Sequence, residues 1–218
     1  DLMSEESVRA MYAKVGKLDA VVSAAGHVHF GPLVGMTGEQ FRKGLEFTRT
    51  SYHKNVITLA CEPGGFLSKP MQDAINAVYS EPSNPFNHCF MADGKSFHAM
   101  KPNDAESLLA ETRKVEGWGR GRTWFLPGQV KLFTDGAIFS QLMQMKAGYT
   151  DGHHGAWIVD PPAFDFMFQT YWDAGYQIHV HNNGDAGMEV LLGALEQAMK
   201  RAPRQDHRTV LVHFGFAT

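Results

Sequence analysis

From residue 55 onward, short apolar runs alternate with longer stretches whose apolar residues recur at helical spacing. Runs at 55–61 (NVITLAC), 86–91 (FNHCFM), 129–134 (QVKLFT), 176–181 (YQIHVH) and 209–214 (TVLVHF) predict five strands. Between them the pattern predicts helices at 69–79, at 103–117 opened by Asn103 and Asp104, from Pro161 and Pro162 to about Asp173, and at 186–201. A long loop containing Gly and His runs from the third of these strands to about residue 160. Single helices between successive strands are the pattern of a parallel α/β sheet or barrel. Earlier in the chain, Val8, Met11, Tyr12 and Val15 fall on one helical face behind the capping candidates Ser4 and Ser7. A Val-rich run at 18–24 predicts a buried strand, and Thr37 is placed to cap a helix to about residue 47. One strand before residue 50 and five after it fall short of the eight that close a (β/α)8 barrel.

Composition narrows the function classes. Hydrophobic residues at 44% and charged residues at 20% are ordinary for a globular chain. A formal net charge of -3 provides no basic field for nucleic acid or anionic lipid. No run approaches the roughly 20 apolar residues of a membrane span. The opening DLMSEESVRAMY has no charged segment followed by an apolar one, so no signal peptide is expected. Position 1 is Asp, and the chain is expected to begin inside a longer gene. The two cysteines, Cys61 and Cys89, argue against a disulfide framework and fit a reducing cytosol. These features point to a cytoplasmic protein acting on a small molecule, and they leave the oligomeric state open. Eleven histidines raise metal or proton chemistry, with solvated surface His as the plain alternative.

The candidate chemistry is spread over three strand ends. Lys131 lies in VKLFTDGA, His179 and His181 in IHVHNNGD, and His213 in VLVHFGFAT. In a barrel, functional groups project from the C-terminal ends of strands. Two imidazoles from consecutive strands can converge on one divalent ion without distorting either strand. Lys131 stands inside an apolar strand, where an unpaired ammonium is costly, and burial lowers its pKa. A deprotonated lysine can take up carbon dioxide and become an anionic carbamate able to bridge metals. Taken alone, Lys131 also reads as a lysine snorkelling from a strand end. His179 is on the same face as His181 but one step deeper, where a hydrogen-bonded core histidine is common. His153 and His154 read equally as substrate contacts or loop histidines, and Met143 and Met145 as packing.

Several stretches together carry a family resemblance: ACEPGG at 60–65, PGQVKLFTDGAIFSQLMQM at 127–145, YTDGHHG at 149–155, YWDAGYQIHVHNNGD at 171–185 and DHRTVLVHF at 206–214. In this order they resemble the amidohydrolase superfamily, in the branch similar to N-substituted formamide deformylases. The resemblance implies that Lys131 is the strand-four lysine, His181 the strand-five ligand and His213 the strand-six ligand. It makes Asp135 a residue of the catalytic surroundings, behind the ligands or in the substrate pocket. It implies hydrolysis of a C–N bond, amide or formamide, with metal-activated water, zinc being the first choice and iron or manganese the others. The family pattern also has a His-x-His pair after strand one and an Asp after strand eight. No strand-eight Asp follows His213 in this sequence.

The segment AMYAKVGKLDAVVSAAGHVHFGPLVGMTGEQFRKGL resembles instead a central slice of a short-chain dehydrogenase/reductase, with VSAAG at 22–26 at its strand-four motif and Ser23 and Ala24 replacing the usual asparagines. No Gly-rich nucleotide loop precedes it, and Tyr52 is followed by Val56 where that family's catalytic lysine would stand. His27 and His29 also follow a Val-rich strand, as a strand-one metal pair would, and their rings would face the same way. Both are otherwise loop histidines. The sequence thus predicts an α/β chain in two parts. Residues 1–46 form a short Rossmann-like αβα fragment, and residues 47–218 form a partial (β/α)8 TIM-type barrel holding strands two to six. An NAD(P)-dependent short-chain oxidoreductase and a non-catalytic fragment are the two alternative functions.

Overall fold

A computed structural model describes residues 37–65 and 68–216. The contact pattern divides the chain between Gly44 and Leu45. The expected helix at 4–15, the strand at 18–24, and His27 and His29 all lie outside the described residues. Helix α1 spans Gly38–Lys54. Thr37 and Gln40 cap its start reciprocally: the Gln40 amide donates to Thr37 Oγ1 at 3.2 Å and the Thr37 amide to Gln40 Oε1 at 2.8 Å. The helix tolerates Gly44 and runs past the expected residue 47 because no Gly or Pro falls between residues 48 and 54. It stops when Val56 takes φ 60°, with Val56 N–H on the His53 carbonyl and Ile57 N–H on that of Tyr52. That is the double bond of a Schellman stop, unusual for a β-branched residue. It consumes residues 55–57, so the first strand starts later than its apolar run suggests.

The remaining elements are β1 (Leu59–Pro63), α2 (Lys69–Tyr79), β2 (Asn87–Asp93), α3 (Gly94–Met100), α4 (Ala105–Glu116), β3 (Thr123–Phe133), a 3-10 turn (Ile138–Ser140), α5 (Pro161–Asp173), β4 (Gln177–Asn182), α6 (Asp185–Arg201) and β5 (Val210–His213). The five strands pair in chain order and all in parallel, making an open, curled half-barrel flanked by helices. This is a partial TIM-barrel-like α/β fold. The expected strands and helices after residue 55 are all present. Asp104 and Asp160 cap α4 and α5 by accepting from Ser107 N–H and Ala163 N–H. Strand β3 begins six residues before the expected 129. Its register on β2 jumps from Phe90–Phe125 to Ala92–Val130, an excursion that holds Pro127 and Gly128. Helix α3 was not anticipated, because its seven residues are too few to display a periodic face.

Alternation sorts each strand between two faces. Val130, Leu132, Ile178 and Val180 point to the convex face and are fully buried under Phe164, Phe168, Tyr171 and Trp172 of α5 and Leu191 of α6. His88 shares this outer layer, stacked on Phe90 at 4.6 Å between ring centroids. Burial lowers its pKa to about 4, so it packs as a neutral ring. No helix among the described residues is long and apolar enough to cross a membrane. The buried polar link across the helix layer is Thr112 Oγ1 to Tyr171 Oη at 2.7 Å. Tyr171→Phe is expected to cost about 1 kcal/mol, read as a lower urea midpoint with an unchanged m-value. No change would show that the link contributes nothing net.

Candidate site on the concave face

The other alternation class faces the inside of the curl, where parallel register sets the neighbours. Lys131 pairs with Asp93 on β2 and His179 on β4, and Phe133 pairs with His181. Lys131 is only 2% exposed, and its Nζ lies 5.1 Å from the centre of the Phe133 ring. Burial lowers its pKa to about 8, with the charges of Asp93, Glu62 and Cys61 opposing the shift. Asp93 is also buried. Its Oδ2 accepts from Lys95 Nζ at 3.1 Å and Ser96 Oγ at 2.5 Å, while Oδ1 has no hydrogen-bond partner among the described residues.

The rings of His181 and His213 meet edge to face, 4.6 Å between centroids. The register alone does not produce this contact, because His213 pairs with Asn182 and Val212 with His181. It accompanies a positive φ of 77° at His213 and 52° at Phe214, a conformation that L-residues rarely adopt. Burial lowers the pKa of His181, helped by His213 and Lys131, and Asp135 and the Gly136 backbone push the other way. His179 is also lowered, by burial and then by Lys131, and its Nε2 is 3.0 Å from Gln129 Oε1. The structure therefore joins His181 to His213 directly, sets Lys131 one strand away, and gives His179 a partner of its own.

Asp135 is fully buried. Its Oδ1 accepts the Asn183 N–H at 2.9 Å, and its Oδ2 accepts those of Gly184 at 2.6 Å and Gln144 at 2.9 Å. Thr134 Oγ1 lies 2.9 Å from Oδ1. Asn183 carries the link onward, its Nδ2 donating to the Gly136 carbonyl and lying 3.0 Å from His181 Nε2. In the long loop, His153 pairs with Asp151 at 2.5 Å, reaches the Gln141 carbonyl at 3.0 Å and stacks on Tyr149. It fastens the loop to itself. Sequence reasoning overlooked Asp93 and Asn183. The signal for Asp93 was an acid ending an apolar strand, and for Asn183 an amide two residues after His181.

Two imidazoles and a buried amine are donors suited in part to a divalent ion. Among the described residues, no group of three or more His, Cys, Asp or Glu side chains could hold one. A shell here would need Lys131 as its third member.

Two outcomes follow from this geometry. Between about pH 8 and 10.5 the unfolded chain still holds a Lys131 proton that the folded chain has released, so stability should rise with pH through that window. Lys131→Met should be more stable than the parent near neutral pH by about 1–4 kcal/mol, with the gap narrowing as pH rises. Denaturation series at several pH values would test this, and a constant gap would refute it. Asp135→Asn places an amide N–H against backbone donors and should cost at least about 3 kcal/mol. A melting temperature within a degree or two of the parent would count against a bracing role.

No protein-family model matches the chain, and no curated protein matches it. Two solved structures are similar in fold. A structure described as an uncharacterized metal-dependent hydrolase from Pyrococcus horikoshii OT3 matches with a TM-score of 0.52 and 14% identity, over 74% of this chain and 31% of its own. Another, described as an uncharacterized metal-dependent hydrolase from Pyrococcus furiosus, matches with a TM-score of 0.54 and 17% identity, over 75% of this chain and 32% of its own. The chain thus spans about a third of the length of the structures it matches. At these identities the likeness establishes the fold alone, a portion of a TIM-barrel-like α/β architecture.

Proposed function

We propose that residues 47–218 carry part of the active site of a metal-dependent hydrolase acting on C–N bonds of amides or formamides. The observation that carries this reading is the meeting of His181, on the same concave face as Lys131, with His213 of the next strand. The two solved structures are described as metal-dependent hydrolases, and the sequence resemblance supplies the bond type. Lys131, His181 and His213 would hold the ion, with zinc the first choice. When bound, such an ion lowers the pKa of water from 15.7 toward about 7 and polarises a carbonyl.

The chain's own residues are suited to that task. The lowered pKa of His181 keeps its imidazole neutral, with a lone pair to give. Its Nε2 now faces the Asn183 amide and would exchange that contact for a ligand. Lys131, with its proton loosened, can add carbon dioxide and so gain the anionic oxygens that a neutral amine lacks. Asp135 acts as a positioning residue, because backbone amides already occupy its oxygens.

The test is metal analysis of the purified chain with added zinc, alongside assays on N-formyl and simple amide substrates. Zinc binding is expected to weaken by about tenfold or more in both His181→Ala and His213→Ala, and any turnover should fall with it. Zinc affinity untouched by both substitutions would overturn the assignment. Turnover without any metal would overturn the reaction class.

A further inference from the structure

The concave face carries a second pair of reactive side chains that the site above leaves unused. Cys61 and Cys89 stand directly opposite each other in the register of β1 on β2. Parallel neighbours are about 4.8 Å apart, within the roughly 4.4–6.8 Å Cα separation that a disulfide spans. In-register side chains on one sheet face also project the same way. The two thiols are close enough for Cys89 to raise the pKa of Cys61, and Cys89 Sγ donates to the Ala60 carbonyl oxygen at 3.5 Å. Cys61 is exposed and Cys89 buried, so one sulfur is open to reagents while the other waits beside it.

What lies three residues further on gives the pair a consequence. Gly64, at φ 89°, lays its backbone against Lys131, and a Cβ there would come within 2.5 Å of Lys131 Cβ and Cγ. Only glycine permits both the conformation and the approach. This backbone cover hangs from β1, which among the described residues is an edge strand paired with β2. Edge strands held by a single ladder open more readily than central ones.

We propose that Cys61 and Cys89 form a reversible dithiol–disulfide pair, closed by exchange with an oxidised low-molecular-weight disulfide, and that closing it fixes the backbone cover over Lys131. The Cys61 thiolate attacks the small disulfide, forming a mixed disulfide and releasing one small thiol. Cys89 then attacks Cys61 Sγ, forming the internal S–S bond and releasing the second small thiol. The two protons lost by the cysteines end on the two released thiols, and the small disulfide takes the two electrons. Desolvation against its neighbours, and then the nearby Cys89, push Cys61 up to about 12, so exchange is slow at neutral pH and quickens as pH rises. The inference does not depend on the metal reading, because it concerns Lys131 only as a covered amine.

The whole chain would be incubated with oxidised glutathione for hours at about pH 8.5 and mapped without reduction by peptide mass spectrometry. Lys131 acylation by acetic anhydride would be timed before oxidation, after it, and after dithiothreitol. An internal Cys61–Cys89 bridge is expected, with a melting temperature higher by about 5–10 °C. Lys131 acylation should slow by about threefold or more and recover on reduction. Cys61→Ser, at an exposed edge position, should abolish both effects without disturbing the fold, and Cys89→Ser serves as the second control. A persistent glutathione adduct on Cys61 without a bridge would overturn the pairing. A bridge that leaves Lys131 acylation unchanged would overturn its control of the cover.

Discussion

The Asp135 carboxylate is the constraint on which the strand-end architecture rests. Three backbone amides from two separate segments converge on it: Gln144 from the long loop, and Asn183 and Gly184 from the turn leading into α6. Each would be a buried donor without it, and a charged acceptor satisfies them more strongly than a neutral one. The carboxylate also sits at the start of α6, where the helix dipole favours negative charge. The loop docks onto the same turn through Ala186 N–H on the Gln144 carbonyl and Lys146 N–H on Asp185 Oδ1. Gly184 is required there, since a Cβ would fall 2.1 Å from the Gln144 carbonyl oxygen. His181 and Asn183, which take part in the candidate site, are therefore held by a network centred one strand away from them.

The candidate site carries two costs to stability. An apolar side chain at Lys131 would fill its space without an ionic penalty, yet the chain places an amine there and loosens its proton. Asp93 and Glu62 offset part of the cost by their charge without forming a close pair with it. His213 adds a second cost through its left-handed backbone, which accompanies the approach of its ring to His181. Both costs fall among the residues of the candidate site.

The strand and helix order after residue 55 was legible because each element shows its own period, and single helices between strands leave a parallel sheet as the natural arrangement. Misjudged boundaries had local causes. Val56 and Ile57 are apolar but belong to a Schellman stop on α1, and Pro127 and Gly128 stand before the expected start at 129 although strand β3 continues on both sides of them. The placing of His179 and His181 on one face was also legible, since a period of two along one strand leaves no other choice.

What the sequence determined by itself was the set of strands, their common direction and the identity of the polar residues on one face, because alternation and spacing are properties of local chain geometry. Tertiary structure alone decided how those residues relate. Nothing in the spacing of His181 and His213 indicates that their rings touch, because the contact runs against the ladder's alternation and goes with a backbone conformation that no residue type there announces. Nor does the sequence show that the oxygens of Asp135 are filled by amides nine and about fifty residues away. Such partners meet only when the sheet curls and the loop folds back, since hydrogen bonds depend on distance in space and not on separation along the chain.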